Sequence, residues 1–272
     1  MNTSSGKTLT GKRILLTGAC GGIGSAIARE LTRCEARVIL VDVSLEPLLD
    51  LVRETGQASF VCDLTDSEQR LALAGMVEAK FGALDGLVQC AGLNAFGLYD
   101  NQTDEQIERL LKVNLIAPMQ LTRRMIPLLE KGNQPVIVSL GSVFAHIGFP
   151  GFSIYSASKF GMHGYTEALR RELADGPVRV AWISPRATRT AMNAGVIDDM
   201  NRELKVNYDE PQAVSDAVVA ALSKPQRDRV LGYPEKIFAR LNQLFPSLVD
   251  GSLAKQLPII RKYNTIQKES LS

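Results

Sequence analysis

Histidine is the scarcest ionisable residue in the chain, with two among 272 residues. His146 and His163 have no carboxylate or cysteine pattern around them, so they read as surface or packing residues, not as metal ligands. Cys20, Cys34, Cys62 and Cys90 are the only cysteines, and none has metal spacing. A disulfide framework is not expected at this size, which leaves free thiols in a reducing compartment. HExxH, CxxC and GxSxG do not occur, so metalloprotease and serine-hydrolase readings lack support and no metal is assigned. No apolar run is long enough to span a membrane, and the opening "MNTSSGKTLTGK" has no apolar signal core. These absences predict a cytoplasmic protein with a loose N-terminal segment of about nine residues. The formal net charge is only +2, so nothing points to a nucleic-acid partner.

Alternation is what the sequence does have. β-branched runs at 13–18, 37–42, 58–63, 84–92, 135–142 and 178–185 read as buried strands, with a weaker seventh at 229–233. Amphipathic patterns near 22–34, 45–54, 66–82, 103–130, 154–174 and 211–223 read as helices between them. Strands alternating with helices imply crossover units, hence an α/β doubly wound parallel sheet of seven strands with helices on both faces. No repeat or linker divides the chain, so residues 10–272 are expected to form one domain. The irregular polar stretch 186–210 reads as a substrate lid, and 234–272 as a C-terminal helical extension. Arg123, Arg124, Arg170 and Arg171 read as solvated helix faces.

Three features carry chemistry. "LLTGACGGIGSAIA" joins the first strand to the first helix, and Gly18, Gly22 and Gly24 let the chain turn tightly and let phosphates approach the helix N-terminus. Asp42 ends the second strand, where a carboxylate can accept bonds from a ribose and repel a 2′-phosphate. No Arg or Lys lies at 19–23 or 43–45 to neutralise such a phosphate, so NAD is favoured over NADP. Asp42 or Ser44 could instead cap a helix, and Asp63 could meet adenine or serve as a cap. Third, "YSASK" places Tyr155 and Lys159 four apart, one turn along the same helix face. A free phenol, with a pKa of about 10, is a poor base at neutral pH. A nearby ammonium lowers that value and would suit Tyr155 to general acid/base work.

In combination these motifs resemble the short-chain dehydrogenase/reductase family, from about residue 10 to 233. "TGACGGIG" (17–24) is similar to TGxxxGxG, "CDLTD" (62–66) to the adenine-site acid, "VNLIAP" to the helix asparagine at Asn114, and "YSASK" to YxxxK; Ser142 lies 13 residues before Tyr155. The resemblance implies an NAD(P)-binding Rossmann-fold oxidoreductase with Asn114, Ser142, Tyr155 and Lys159 as its catalytic set. In that set Tyr155 is the acid/base, Ser142 fixes the substrate oxygen, and Lys159 holds the nicotinamide ribose. Asn114 holds a water that links Lys159 to solvent. The implied cofactor contacts are Thr17, Gly18, Gly22, Ile23, Gly24, Asp42, Asp63, Leu64, Ala91, Gly92, Tyr155, Lys159, Pro185, Thr188 and Thr190. Two departures stand out. NNAG reads "QCAG" (89–92), and the proline–glycine turn after strand six reads "SPRATRT", with Arg186 in place of glycine.

The function expected is an NAD(H)-dependent oxidoreductase interconverting a secondary alcohol and a ketone. The alternatives are a 3-oxoacyl-thioester reductase, or an NAD-sensing or scaffold protein of the same fold with weak turnover. In the resembled family, long helices pair across a two-fold axis, which implies a homodimer or homotetramer. In the tail, Ile237, Leu241, Leu244, Phe245 and Leu248 recur at helical spacing, as do Leu253, Leu257 and Ile260. Pro246 should start a second helix or kink the first. A pair of helices packed on the domain is one reading. The other is an apolar substrate entrance with peripheral contact to a membrane, implying a lipophilic alcohol or ketone.

Overall fold

The computed structural model describes residues 9–224 and 228–271. The expected loose N-terminal segment falls outside the described residues except for Leu9, which is buried. Seven strands form one sheet: β1 (Arg13–Thr17), β2 (Arg37–Asp42), β3 (Ala58–Val61), β4 (Gly86–Gln89), β5 (Val136–Leu140), β6 (Arg179–Ser184) and β7 (Asp228–Val230). All pairings are parallel, in the order β3-β2-β1-β4-β5-β6-β7. The expected doubly wound parallel sheet is therefore present, with a topological switch between β1 and β4, where such folds bind ligands beyond the carboxyl ends of the strands.

Alternation along each strand feeds two cores. On one face Ile14, Leu16, Leu40, Val88 and Val138 pack against Ile27 and Leu31 of α1 (Gly22–Arg33), Leu48 of α2 (Leu45–Thr55) and Val218 of α8 (Pro211–Ser223). On the other, Leu15, Ile39, Leu87, Ile137 and Val180 meet α3 (Ser67–Phe81) through Val77, α5 (Ala117–Glu130) through Leu121 and Met125, and α6 (Ser153–Glu172) through Leu169. Burial on both faces explains why the strand sequences are nearly continuous apolar runs. Each such Leu or Ile contributes about 1.5–3 kcal/mol by leaving water.

The helix expected over 103–130 is present from Asp104 to Glu130, with one π-helical turn inside it. It runs as α4 (Asp104–Leu111), a π-helical turn (Lys112–Ile116), then α5. In the wide turn the Ala117 N–H reaches back five residues to Lys112 O. Pro118 supplies the physical reason: it has no N–H to give to Asn114 O, four residues earlier, and its ring crowds that carbonyl. The stretch 186–210 is more ordered than expected, with a 3₁₀ turn (Ala191–Asn193) and α7 (Val196–Glu203). Strand seven ends at Val230, three residues before its expected end, because Gly232 turns the chain with φ +83° into the helix that begins at Tyr233. The tail forms three helices instead of two: α9 (Tyr233–Leu244), α10 (Pro246–Ala254) and α11 (Leu257–Leu271). Pro246 opens the second, as a proline at a first turn can.

Arg123 and Arg171 are exposed, as expected, but Arg124 is half-buried. Arg170 is not a solvated residue: it donates to Val180 O (3.1 Å) and pairs with Asp228 (2.6 Å), tying α6 to the sheet edge. All four cysteines are free, with Cys62 buried and the others half-buried. His146 is a packing residue, its Nε2 3.0 Å from Ser184 Oγ and its ring 4.6 Å from that of His163.

Candidate active site

A cleft of about 890 Å³ lies over the carboxyl ends of β1, β2 and β4. Its walls include Gly18, Gly22, Ile23, Gly24, Asp42, Asp63, Leu64, Ala91, Gly92 and Thr190, so most of the expected cofactor contacts meet here. The turn needs its glycines for packing as well as for access. Gly18 has φ +66°, and a Cβ on Gly24 would lie 1.9 Å from Gly18 O. The first turn of α1 carries no acidic residue, so its free N–H groups face the cleft unopposed. Asp42 accepts from Cys20 N (2.9 Å) and Ser44 N (3.1 Å). It thereby joins the glycine turn to the loop after β2. Asp63 accepts from Thr65 N (2.8 Å), while the cap of α3 is Asp66, which accepts from Glu68 N and Gln69 N. The cap reading for Asp63 thus gives way to a turn residue in the cleft wall. Glycines, helix N–H groups and one carboxylate at the end of β2 fit a dinucleotide. A side chain on Gly92 would stand 3.7 Å from Lys159 Nζ and fill the inner end of the space.

Thr17 does not belong to that wall. Its buried hydroxyl accepts from Cys90 N (3.2 Å) and Ala91 N (3.3 Å) beneath the cleft, so it braces β1 against the end of β4 instead of meeting a cofactor. Gln89, the departure from the family pattern, is fully engaged in the core. Its Nε2 donates to Pro118 O and Thr122 Oγ1 (2.8 Å each), and its Oε1 accepts from Ser139 Oγ (2.9 Å). The longer side chain spans β4, β5 and α5, so the substitution is accommodated. Cys20, Cys90, Arg109 and Lys112 also line the cleft, together with Glu105 and Glu108. The cysteines adjoin the quoted motifs.

A second cavity of about 390 Å³ adjoins the first, sharing Ile23, Thr190 and Met192. Ser142 and Tyr155 line it, with Phe144, Ile147, Phe149, Phe152, Pro185 and Thr188. Ser142 Oγ accepts from Phe144 N (3.1 Å). Lys159 is buried behind Tyr155, its Nζ donating to Leu140 O (3.3 Å) and lying 5.6 Å from the centre of the Tyr155 ring. Asn114 Oδ1 accepts from Leu93 N (2.7 Å), and its Nδ2 donates to Leu93 O (2.9 Å) and Ser158 Oγ (3.2 Å). The side chain of Asn114 therefore pins the loop after β4 to α6. Its backbone carbonyl lies in the π-helical turn that Pro118 creates.

The lowered phenol pKa is not present in the chain alone. Burial pushes Tyr155 up to about 12, against the opposing pull of its hydrogen bond with Ser142. Burial likewise pushes the Lys159 amine down to about 8, with Cys90 acting in the opposite sense. Both shifts have one cause: an enclosed site that disfavours either charge on its own. Among the described residues no group of His, Cys, Asp or Glu could hold a metal, and no helix is long and apolar enough to cross a membrane.

Comparison with known proteins agrees with this geometry. The sequence pattern of the family described as short chain dehydrogenase matches residues 12–201. The oxidoreductase SadH of Mycobacterium tuberculosis is 31% identical over 269 residues, covering 91% of this chain and 97% of that protein. The ketoacyl reductase HetN of Nostoc is 29% identical over 255 residues, covering 89% and 88%. A crystal structure of a short-chain dehydrogenase from Streptomyces avermitilis superposes with a TM-score of 0.78 at 26% identity, over 94% of this chain and 99% of that one. With the matched region, the parallel sheet and the Ser142–Tyr155–Lys159 cluster in agreement, the chain belongs to the short-chain dehydrogenase family of Rossmann-fold oxidoreductases.

Proposed function

We propose that this oxidoreductase interconverts a secondary alcohol and a ketone with NAD(H), on a lipophilic substrate. The observation that carries the reading is the meeting of the two cavities: the apolar one presents Ser142 and Tyr155 where it shares Ile23, Thr190 and Met192 with the dinucleotide cleft. The nicotinamide, when bound, supplies or accepts the hydride. Ser142 donates a hydrogen bond to the substrate oxygen and fixes its position. Tyr155 holds the proton at its Oη, giving it to the oxygen in reduction and taking it in oxidation. Lys159 keeps an ammonium within reach of that phenol, and a substrate oxygen gaining negative charge favours the proton leaving Tyr155. Asp42 holds the adenosine ribose and disfavours a 2′-phosphate.

The apolar walls suit a hydrocarbon body. Beside the cavity mouth, α9 and α10 expose Tyr233, Ile237, Phe238, Leu244, Phe245 and Leu248, with Lys236, Arg240 and Lys255 around them. Such a face suits peripheral contact with a lipid surface. Exposed Ile116, Met119 and Phe160 on the α5–α6 side suit a homodimer through that face. A 3-oxoacyl-thioester reductase is the second reading, favoured by the likeness to a ketoacyl reductase. The same Ser142 and Tyr155 would serve it. The test is NADH oxidation with straight-chain 2-ketones of increasing length and with a 3-oxoacyl thioester. On the simple ketones kcat/KM should rise with chain length. Turnover of the thioester alone, with NADPH preferred, would select the second reading.

A further inference from the structure

Three segments meet over the apolar cavity: the turn after β6, the end of the stretch that carries α7, and the first turn of α9. Arg186 sits at their junction. Its Nε donates to Asp209 Oδ1 at 2.9 Å, its Nη2 lies 2.9 Å from the same oxygen, and its Nη1 donates to Glu235 Oε2 at 3.3 Å. The three side chains are 19%, 13% and 20% exposed, so water screens this triad only in part. The backbone reinforces one side of it: Asp209 N donates to Ala187 O (2.8 Å), and Arg189 N to Asp209 O (3.0 Å). On the other side the chain passes close beneath. A Cβ at Gly232 would lie 2.5 Å from Glu235 Oε2 and 2.9 Å from Arg186 Cδ, so a side chain there would displace the triad.

What the triad holds in place is a wall. Glu235 and Pro234 begin α9, and Phe238 of the same helix lines the cavity together with Val249 and Leu253 of α10. Leu241, Val249 and Leu253 also pack on Val143 and Ile147, next to Ser142. Across the cavity, Ile197 and Leu204 come from the α7 stretch. That stretch is fastened from outside as well, where Glu203 accepts from Lys262 Nζ (2.7 Å) and Tyr263 Oη (2.8 Å) of α11. Without the link from Arg186 to Glu235, the turn after β6 would lose its direct ionic tie to α9. Without Arg186 itself, Asp209 and Glu235 would face each other as like charges, and Asp209 Oδ2 is already buried without a partner.

We propose that Arg186 is a positioning residue for substrate size: it latches the 187–209 stretch to the C-terminal extension and so holds the apolar wall of Phe238, Val249 and Leu253 against the outer part of the substrate. The latch rests on the reading of the cavity as the substrate site. Arg186 and Glu235 themselves line the cavity, but the guanidinium is engaged by two carboxylates, so its effect on substrate size is exerted through the wall that it holds. A long ketone held at Ser142 and Tyr155 lies along more of that wall than a short one does.

The test uses the full chain with Glu235→Gln, Arg186→Gly and Arg186→Lys, assayed with NADH on 2-butanone and 2-decanone. Glu235→Gln is the gentler variant, because it leaves the Arg186–Asp209 pair intact. The ratio of kcat/KM for the long ketone over the short one should fall about tenfold in Glu235→Gln and further in Arg186→Gly, mainly through KM. A tenfold change corresponds to about two methylene groups losing their burial. Arg186→Lys should fall between, because a compact ammonium cannot reproduce the planar fork that holds both carboxylates. Amide hydrogen exchange on the cofactor-free variants supplies a readout that needs no turnover: exchange should quicken together in 196–209 and 233–254, with β1, β4 and β5 unchanged. If neither ketone is turned over by the unmodified chain, the functional reading fails while exchange still decides the latch. An unchanged selectivity ratio, equal losses on both ketones, or exchange that is unchanged or uniformly faster would overturn the proposal.

Discussion

Gly141 precedes Ser142 directly, and its missing side chain is occupied space. A Cβ at that position would lie 1.9 Å from Trp182 Cζ2 and 2.5 Å from Cε2 and Cη2. Trp182 cannot swing aside, because it is fully buried and its Nε1 donates to Ser184 Oγ at 2.7 Å. Gly141→Ala therefore has to move either the indole or the backbone that carries Ser142. Overpacking of a filled core costs about 1–3 kcal/mol, which for a domain of this size lowers Tm by about 2–4 °C per kcal/mol. Moving Ser142 by even a fraction of an ångström should also cost turnover, since misplacement by about 1 Å can cost about a hundredfold. Calorimetry and steady-state NADH oxidation on Gly141→Ala, Trp182→Phe and the double variant separate the two effects. Trp182→Phe removes the atoms that collide, so the double variant should be more stable and more active than the sum of the single losses predicts. Strictly additive losses, or a Gly141→Ala variant with unchanged Tm and kcat, would refute the argument.

Asp42 should make NADH bind more tightly than NADPH by about tenfold or more, the equivalent of about 1.4 kcal/mol. Asp42→Ala with Val43→Arg should narrow or reverse that preference in a fluorescence titration, and equal curves on the unmodified chain would show that Asp42 does not face the ribose. Burial, then His163, hold the His146 imidazole down to about 4 from its ordinary 6.5, with Asp228 opposing. The unfolded chain takes up that proton near 6.5 and the folded chain only near 4, so the stability tied to His146 is whole above pH 6.5 and declines as pH falls towards 4. Denaturant melts of His146→Gln should show a flatter decline over that window, and parallel slopes would contradict it. Replacing Phe245 and Leu248 by serine should abolish co-sedimentation with anionic phospholipid vesicles while leaving NADH binding intact. Failure of the unmodified chain to sediment with them would remove the membrane contact.

The parallel sheet could be read from the sequence because its five inner strands are buried on both faces, and runs such as "RILLTG" and "RVILVD" say so residue by residue. Two elements differ from the expectation through a single backbone event each. Pro118 widens one turn of the long helix through a bond it cannot make, and Gly232 ends β7 early by turning at positive φ. Ser142 and Tyr155 were legible through spacing because they lie at the ends of regular elements that set their directions, and the structure brings both to one cavity. Thr17 was misread because a threonine at the end of a strand can face a ligand or the next strand, and only the register of β4 against β1 decides which. The direction of the Tyr155 pKa is not legible, because spacing reveals a neighbouring ammonium but not the burial that raises the pKa against the pull of the Ser142 hydrogen bond. Arg186 stood out as a departure, yet its partners Asp209 and Glu235 lie 23 and 49 residues away, beyond any local pattern.

The most direct test of the account is turnover by Tyr155→Phe. The substitution removes the hydroxyl and keeps the ring that packs beside Phe144. With NADH and a long-chain ketone that the unmodified enzyme reduces, kcat should fall by at least about a hundredfold, the scale of general acid/base contributions, while NADH affinity stays within about twofold. Turnover like that of the unmodified enzyme in the phenylalanine variant would contradict the assignment of Tyr155 as the proton donor and, with it, the mechanism built on this site.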